Sequence, residues 1–407
     1  RRSGWTRAPL RSESLLWRVN IMKVGIMTLL GRTYNDNYGG VFQNLALNRH
    51  LSSLGISTYT IDLNPFYNLS RDSYLRRFIK ITKRKGPRYI FNRLRHEAVN
   101  LPLYRNRDME NKRHNKFNEF RSRHISFSER AINPYNIIDG DIDYLNDFDV
   151  LIVGSDQVWN PNFNEKMLKF MLLDFPFAGV KSSYAASIGA NIPIILSDLY
   201  NSNLNKFHHL SVRDDYSKMM LEKATGLKAK VVLDPVNLLS KERWMEYAKE
   251  PDLKVKGPYL FVYDLVRTRE IIPALKKLVN INKVSIVNYF PYSEIEKRLY
   301  HIETNSFYTC GPDEFLWLLD NSSGVISSSY HGVVLSVLFR KNFIAILPSK
   351  KSNLSGMHSN ERIIEFLKQL NLEDRALIDV EKIPGKLLYE DINWSHVLDI
   401  HSKMREE

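Results

Sequence analysis

Residues 22–63 read MKVGIMTLLGRTYNDNYGGVFQNLALNRHLSSLGISTYTIDL, and this stretch decides the fold class. It predicts a strand at Val24–Leu29, a turn rich in asparagine and glycine, and a helix at Val41–Leu54 that ends at Gly55 as a C-terminal cap. A second strand is predicted at Ser57–Leu63. A strand, a helix and another strand in this order are typical of a parallel βαβ unit.

The same alternation continues along the chain in two sets, separated by a polar stretch at Lys249–Gly257. Two such sets predict an α/β fold with two Rossmann-like domains, residues 22–248 and 249–390, and a ligand-binding cleft between them. Residues 1–21 are basic but lack the apolar centre of a signal peptide, and we interpret them as a tail outside the core. We interpret residues 391–407 as a C-terminal helix or tail. The further strands are predicted at Val150–Gly154, Lys181–Ser187, Leu210–Arg213, Lys230–Leu233, Tyr259–Asp264, Lys283–Asn288, Gly324–Ser327 and Phe343–Leu347, and the further helices at Tyr216–Thr225, Glu270–Val279, Pro312–Asn321, His331–Phe339 and Glu361–Leu370.

The net charge of +13 lies almost entirely in one segment. Residues 71–130 contain 18 Lys and Arg against 6 Asp and Glu. Two or three helices are predicted there, at Ser73–Lys83, Tyr89–Val99 and Arg107–Arg121, within a basic helical insertion at 66–140 of the first domain. The insertion is either a solvated element with one core-facing stripe, or a docking surface for an anionic membrane or a lipid-phosphate-linked substrate. Nucleic-acid binding is disfavoured, because no recognised nucleic-acid motif accompanies the charge.

Composition argues against several classes of protein. Cys310 is the only cysteine, so the chain has no disulfide framework and no CxxC zinc site, and we expect this thiol to be structural. The longest apolar candidate, Gly332–Pro348, is interrupted by Arg340 and Lys341 and falls short of the roughly 18 residues of a membrane span. No metal-ligand spacing is present in the sequence, so neither a metal nor another cofactor is expected. We expect a cytoplasmic protein.

Two loops of the first domain follow predicted strands, where parallel α/β proteins bind their ligands. The loop at Asn35–Gly40 has glycines that let a ligand approach the backbone, although it is not a GxGxxG dinucleotide motif and an ordinary turn is the alternative. The loop at Gly154–Pro161 has a Ser-Asp pair suited to a sugar hydroxyl or a phosphate, and a tryptophan suited to stacking on a pyranose. A capped turn around a buried tryptophan is the alternative there. The candidate cleft-loop residues are Asn37, Tyr38, Gly39, Gly40, Gln43, Ser155, Gln157 and Trp159, and Asp156 is a candidate catalytic residue.

Two further polar residues stand at predicted strand ends. A guanidinium at the position of Arg213 suits a bidentate grip on a carboxylate or a phosphate, and a surface arginine paired with Asp214 or Asp215 is the alternative. His331 lies at a strand-to-helix turn, after three serines and before Gly332, where an imidazole can serve as general acid or base near neutral pH. We therefore interpret His331 as catalytic, whereas for Arg213 these residues alone favour the surface arginine paired with a carboxylate.

Taken in order, these motifs resemble the polysaccharide pyruvyl transferase family, over about residues 22–377. The resemblance rests on Asn-Tyr-Gly-Gly-Val at 37–41 with Gln43, Gly-Ser-Asp-Gln-Val-Trp-Asn-Pro at 154–161, Ser-Val-Arg-Asp-Asp at 211–215, Leu-Asp-Pro at 233–235 and Ser-Tyr-His-Gly at 329–332. It implies a GT-B-like fold, phosphoenolpyruvate as donor, and a sugar of an exopolysaccharide or cell-surface glycan precursor as acceptor. It also implies that Arg213 binds the donor and that His331 is catalytic.

One departure from the family pattern concerns the donor site. Many family members carry Arg-Leu-His where this chain has Ser-Tyr-His at 329–331, so a second donor-binding arginine is missing there. We expect another cation to replace it. The candidates for this replacement are Arg340, Lys341 and Arg362, and Ser329 and Gly332 are further candidate donor contacts.

Two other functions fit the same residues. The cleft of a GT-B glycosyltransferase that uses a nucleotide sugar would hold a diphosphate in the same place. A non-catalytic scaffold would bind anionic lipid or nucleic acid through residues 71–130. As a pyruvyl transferase, the protein is expected to meet phosphoenolpyruvate, a sugar or lipid-linked oligosaccharide, and the inner face of an anionic membrane, but not nucleic acid.

Overall fold

The computed structural model describes residues 22–65, 107–135, 142–255, 257–265, 283–291, 304–347, 357–378 and 390–406, with isolated positions between these ranges. The predicted tail at 1–21 and the predicted helices at 73–83 and 89–99 lie outside the described residues. Only isolated positions of the helix predicted at 270–279 are described. No helix of the described part is long and apolar enough to cross a membrane.

The N-terminal domain is built on a parallel five-stranded sheet. Its strands are β1 (Lys23–Met27), β2 (Ser57–Leu63), β3 (Phe127–Ile132), β4 (Val150–Val153) and β5 (Val180–Ser183). They pair in the order β3-β2-β1-β4-β5, which is the order of a Rossmann sheet. Two shorter parallel strands, β6 (Ser211–Val212) and β7 (Lys230–Val231), pair with each other. They continue this layer through two single bridges, from His209 to Ser182 in β5 and from Val212 to Ala186 just after it. The helices are α1 (Tyr38–Ser53), α2 (Arg107–His124), α3 (Glu165–Met171), α4 (Ser197–Leu204), α5 (Asp215–Thr225) and α6 (Lys241–Met245), with 3-10 turns at Asp143–Asp147, Ile194–Leu196 and Pro235–Leu238.

The C-terminal domain repeats this architecture with a parallel six-stranded sheet. Its strands are β8 (Tyr259–Tyr263), β9 (Ser285–Asn288), β10 (Thr304–Ser306), β11 (Gly324–Ser327), β12 (Phe343–Ile346) and β13 (Ala376–Leu377). They pair in the order β10-β9-β8-β11-β12-β13. The helices are α7 (Pro312–Asp320), α8 (Tyr330–Leu338), α9 (Met357–Gln369) and α10 (Trp394–Glu406), with a 3-10 turn at Glu373–Arg375. The predicted fold class, α/β with two Rossmann-like domains, is confirmed.

Helix α2 joins the two domains, and the described part of the basic insertion differs from its prediction. The helix predicted at Arg107–Arg121 extends to His124, and the segment after it forms the edge strand β3, where we had expected only helices. Arg113 Nη1 donates to the carbonyl of Tyr308 at 2.9 Å, and Lys116 Nζ donates to Glu314 Oε1 at 2.7 Å. This helix is therefore an element with a core-facing stripe, and that stripe faces the C-terminal domain instead of a membrane or a nucleic acid.

A cluster of aromatic side chains fills the space between the domains. The ring of Tyr38 on α1 lies 4.5 Å from that of Phe315 on α7 and 4.9 Å from that of Phe117 on α2, centroid to centroid. Helix α10 adds a second connection, because His401 Nε2 lies 2.8 Å from Asn237 Oδ1 of the N-terminal domain. Burial of apolar area at this boundary therefore fixes how the two sheets face each other.

Candidate active site

The loops that follow the central strands of the two sheets meet at the domain boundary. The loop after β1 leads into α1, and the loop after β11 leads into α8. A Cβ atom at Gly39 would lie 2.1 Å from Nδ1 of His331, so the first turns of α1 and α8 touch, and glycine is required at this point. Each loop leaves its sheet at the switch point of the strand order, where open α/β sheets bind ligands.

Asp234 is the centre of a buried polar cluster that spans this boundary. It follows β7 and is fully buried. Its Oδ2 accepts hydrogen bonds from Ser155 Oγ at 3.1 Å and Arg213 Nη1 at 2.9 Å, and lies 3.4 Å from His331 Nε2. Its Oδ1 accepts from the backbone N–H of Val236 at 3.0 Å. Burial alone would raise the pKa of Asp234, but the charges of His331 and Arg213 hold it well below its usual range, so the carboxyl is ionised.

Arg213 is a buried cation that does not use all of its hydrogen-bond donors within the described part of the chain. Its side chain is 1% exposed, and its Nη2 lies 3.9 Å from Asp156 Oδ1. Nε and Nη2 have no hydrogen-bond partner among the described residues. Burial alone would lower the pKa of Arg213, but the charges of Asp234 and Asp156 raise it above its usual value. A permanently charged guanidinium with unused buried donors is suited to a carboxylate or phosphate ligand.

Tyr330 holds a second guanidinium next to the first. The Cζ atoms of Arg213 and Arg362 lie 5.1 and 5.7 Å from the centroid of the Tyr330 ring. Within the described part of the chain, Arg362 Nε has no hydrogen-bond partner. Burial, and after it the like charge of Arg213, lowers the pKa of Arg362. Two buried guanidiniums against the same ring, each with a nitrogen that lacks a described partner, indicate a site for an anion.

A cavity of about 660 Å³ opens beside both arginines. Residues of both domains line it, among them Tyr184 on one side and Glu365 on the other, together with the end of α10. His331 and Asp156 are not among its described lining residues, so Arg213 is the side chain that links the cavity to the Asp234 cluster. Among the described residues, no group of three His, Cys, Asp or Glu side chains could hold a metal ion.

The loop after β4 is held in place by residues predicted from the sequence. The Ser155 N–H donates to Gln43 Oε1 at 3.2 Å, and Gln43 Nε2 donates to Thr28 Oγ1 at 3.0 Å. Asp156 has a positive φ of 73° and keeps its side chain 23% exposed. Its Oδ1 accepts from the N–H of Gln157 at 2.9 Å. Ser155 and Gln43 therefore position the loop, whereas Asp156 has a carboxylate that a ligand can reach.

The predicted residues on the first turns of α1 and α8 act as caps. Asn37 Oδ1 accepts from the N–H of Gly40 at 3.3 Å, and Ser329 Oγ accepts from the N–H of Gly332 at 3.4 Å. Such caps satisfy part of the free N–H groups and fix the direction of the helix. The structure therefore brings these four residues to the cleft and assigns them a positioning role.

Two predicted cleft residues lie in the core instead. Trp159 is fully buried and donates from Nε1 to the carbonyl of Met171 at 3.1 Å, so the prediction that it stacks on a sugar is wrong and the buried-tryptophan alternative is right. Tyr38 is also fully buried, and its hydroxyl donates to the carbonyl of Cys310 at 2.7 Å. Large aromatic side chains gain most from burial, and here Tyr38 lies in the aromatic cluster between the domains, whereas Trp159 lies in the core of the N-terminal domain. Burial raises the pKa of Cys310 to about 12, which agrees with a structural thiol.

Lys341 does not reach the two arginines. It follows the C-terminal end of α8, whereas Tyr330 and His331 lie at the N-terminal end of this helix. Because an α-helix rises about 1.5 Å per residue, the length of α8 separates Lys341 from Tyr330 and the arginines beside it. Burial lowers the pKa of Lys341, and the neighbouring charges are those of Asp320 and Lys241. Arg340 beside it is exposed. Of the three candidates to replace the missing arginine, only Arg362 lies next to Arg213.

Sequence reasoning did not assign Asp234, Tyr330 or Glu365 to the site. Asp234 was visible as the residue that ends a predicted strand, but its three partners come from different elements. Tyr330 was visible only as a departure from a family pattern. Glu365 lies on α9, and its Oε1 accepts from the N–H of Asp215 at 2.8 Å across the cavity. Only the folded chain brings these groups together.

We expect Glu365 to make stability depend on pH. Burial, with the nearby carboxylates of Asp215 and Asp214, raises the pKa of Glu365 from 4.5 to about 7. The folded state then keeps a proton that the unfolded chain releases, so this group lowers the free energy of unfolding as pH rises from 4.5 to about 7. Glu365→Gln should flatten that dependence, and denaturant titrations at several pH values measure it. The exposed Glu222→Gln is the control, and an equal flattening in both variants would contradict the prediction.

Comparison with known proteins identifies one matching family and several solved structures of low sequence identity. The family model described as polysaccharide pyruvyl transferase matches residues 37–350, which is more than three quarters of the chain. The match includes Arg213, Asp234 and His331 but ends before Arg362. No curated protein matches the chain.

Among solved structures, the chain is similar to UDP-GlcNAc 2-epimerase from Methanocaldococcus jannaschii, with a TM-score of 0.44 and 10% identity over 95% of this chain and 93% of that one. It is similar to MurG of Acinetobacter baumannii, with a TM-score of 0.41 and 8% identity over 95% of each chain. It is also similar to the spinosyn forosaminyltransferase SpnP, with a TM-score of 0.44 and 13% identity over 95% of each chain. These identities are too low to transfer an activity.

Proposed function

The chain belongs to the polysaccharide pyruvyl transferase family, and from this membership we propose that it transfers the pyruvyl group of phosphoenolpyruvate to a sugar, forming a ketal and releasing phosphate. The acceptor we propose is a sugar of an exopolysaccharide or cell-surface glycan precursor. The observation that supports this proposal is the pair of guanidiniums, Arg213 and Arg362, beside the buried Asp234 and His331. The donor has both a carboxylate and a phosphate, and such a ligand requires more than one cation.

The arginines are proposed to bind the donor. Arg213 keeps Nε and Nη2 unused among the described residues, and Arg362 keeps Nε unused, so three buried donors are available to anionic oxygens. An anion between them would also relieve the repulsion that lowers the pKa of Arg362. Asp234 holds Nη1 of Arg213 and thereby fixes the direction of the remaining donors.

His331 is proposed to move the protons of the reaction. Protonation of the methylene carbon of phosphoenolpyruvate leaves a cationic centre at C2, and a sugar hydroxyl adds there with loss of its proton. A second hydroxyl of the same sugar then displaces inorganic phosphate from C2 and closes the ketal. The two C–O bonds formed replace the C=C π bond and the C–O bond to phosphate. The ionised Asp234, whose Oδ2 lies 3.4 Å from Nε2 of His331, is proposed to hold the ring in position for such transfers.

Asp156 is proposed to orient the acceptor. It is partly exposed, it lies beside Arg213, and it belongs to the loop that Gln43 and Ser155 hold in place. A carboxylate in this position can accept a hydrogen bond from the attacking hydroxyl and assist its deprotonation. The acceptor would then approach from the side of the α1 turn, where Gly39 contacts His331.

The test of this function is acceptor-dependent release of phosphate from phosphoenolpyruvate, with a panel of soluble and lipid-linked sugars. The wild-type chain should release phosphate. Arg213→Lys should release far less, because an ammonium group replaces the planar guanidinium that can donate two parallel hydrogen bonds. If no sugar supports release, calorimetric binding of phosphoenolpyruvate decides. Release of nucleotide from a nucleotide sugar, without binding of phosphoenolpyruvate, would overturn the proposal in favour of a glycosyltransferase.

Arg362→Ala should weaken the binding of phosphoenolpyruvate at least about tenfold, because a hydrogen bond to a charged group contributes roughly 1.5–3 kcal/mol. Titration calorimetry with phosphoenolpyruvate measures the change. Lys341→Ala is the matched control, since that cation lies at the other end of α8 and should leave the dissociation constant within about twofold. Equal losses in the two variants, or a loss in Lys341→Ala alone, would show that Arg362 is not the second cation.

The setting that we propose for this reaction is the cytoplasm, at the inner face of the membrane. The lone, buried Cys310 supports a reducing compartment, and the basic composition supports contact with anionic lipid. The reaction as written is complete with donor and acceptor and calls for no further cofactor.

A further inference from the structure

Two neighbouring isoleucines protrude from the N-terminal domain. Ile194 is 92% exposed and Ile195 is 85% exposed, whereas the next most exposed large apolar side chains of the described residues, Leu54 and Ile378, are each 63% exposed. They occupy the 3-10 turn that enters α4. Single exposed apolar side chains are ordinary, but two adjacent branched ones, almost wholly in water, indicate contact with something apolar.

The turn is firmly attached to the site. The N–H of Ile188 donates to Ser217 Oγ at 3.0 Å, and Asn191 Oδ1 accepts from the hydroxyl of Tyr216 at 2.9 Å. Ser217 and Tyr216 belong to the first turn of α5, directly after Arg213. The protruding pair therefore has a fixed position relative to the candidate active site.

The small apolar area of Ile194 and Ile195 favours a lipid surface over a protein partner. A stable protein interface buries about 800 Å² on each side. Two isoleucines cannot supply this area, and their neighbours Asn191, Pro193 and Asp198 are exposed. A bilayer requires no matching surface, because aliphatic side chains gain free energy on entering its acyl boundary.

Charge points to the same partner. The chain has a net charge of +13, which attracts it to anionic headgroups. The exposed charges nearest along the chain are mixed, with Lys206 opposing Asp198. The general attraction therefore comes from residues 71–130, which contain nearly all of the excess charge, and the apolar pair adds a contact that depends on the hydrocarbon of the bilayer.

We propose that Ile194 and Ile195 insert into the surface of an anionic bilayer and dock the N-terminal domain there. This docking stands independently of the reaction proposed above. Together with that reaction, it would present the cleft to acceptors that are themselves anchored in lipid.

Vesicle co-sedimentation of the full chain tests the docking, with vesicles of equal parts phosphatidylcholine and phosphatidylglycerol. Ile194→Ser/Ile195→Ser should reduce the partition coefficient about tenfold or more, since each buried isoleucine contributes strongly to transfer. Leu54→Ser/Ile378→Ser, which changes two exposed apolar side chains elsewhere, should reduce it less than about twofold. An additional Ile194→Trp variant should shift its fluorescence emission to the blue when vesicles are added.

Three outcomes would overturn the proposal. One is an equal loss of partitioning in the two double variants. Another is unchanged partitioning after Ile194→Ser/Ile195→Ser, which would assign binding to basic residues alone. The last is a wild-type dimer in size-exclusion chromatography that Ile194→Ser/Ile195→Ser converts to a monomer, because the pair would then cover a second copy of the chain.

Discussion

Asp234→Asn should lower the free energy of unfolding by about 3–5 kcal/mol and reduce transferase activity at least about 100-fold. The substitution keeps the size of the side chain but turns an ionised acceptor into a neutral amide. Two donors point at Oδ2 of Asp234, from Ser155 and Arg213, and Nε2 of His331 lies 3.4 Å from it. An amide nitrogen placed there would oppose them, and a buried guanidinium would lose its counter-ion.

Denaturant titration and phosphate-release assays measure the two effects of Asp234→Asn. Asp198→Asn on α4 is the control, because that carboxylate is exposed and should change neither quantity by much. The double variant Asp234→Asn/Arg213→Met removes both charges and should recover part of the lost stability while remaining inactive. If Asp234→Asn unfolds at the wild-type denaturant concentration, the carboxylate is not the centre of the cluster.

The second large effect is expected for His331→Ala, with a loss of roughly 100-fold or more in turnover and little change in fold. The side chain is 12% exposed and lies between Asp234 and Gly39, so its removal leaves a small space at the edge of the cleft. Steady-state kinetics with a competent acceptor measures the loss, and circular dichroism checks the fold. His396→Ala on α10 changes an exposed histidine and should be neutral.

Gly39→Ala tests the position of the imidazole without removing it. The added methyl group would lie 2.1 Å from Nδ1, so the ring has to move. A loss of turnover close to that of His331→Ala is expected if the ring position matters for proton transfer. Near-normal turnover in His331→Ala would instead show that another group moves the protons.

Much of the fold could be predicted because both sheets are parallel and covered on both faces. Such strands have apolar runs, and Ser57–Leu63 and Gly324–Ser327 were predicted with their observed bounds. Strand β3 was missed because it lies at an edge, with Glu129 and Arg130 exposed, so no apolar run marks it. Strands β10 and β13 were missed for the same reason, because they form the two edges of the C-terminal sheet and their residues are only partly buried.

Within the candidate site, the sequence could predict only residues that stand at the ends of strands. Arg213 and His331 stood at such positions, and the structure brings them to one carboxylate. That carboxylate, Asp234, could not be assigned, because its pairing with His331 spans the domain boundary. The burial of Trp159 was equally hidden, since a tryptophan after a polar turn can point into the core or the cleft.

The attachment of α2 limits how proteins of this architecture can exchange parts. By sequence α2 belongs to the first half, yet its Arg113 and Lys116 bind backbone and carboxylate groups of the second half. A chimera that joins halves of two relatives at residues 249–257 would place the side chains of α2 from one protein against the C-terminal domain of the other. The working module for recombination is therefore the C-terminal domain together with its own copy of α2, although the two are separated by more than a hundred residues of chain.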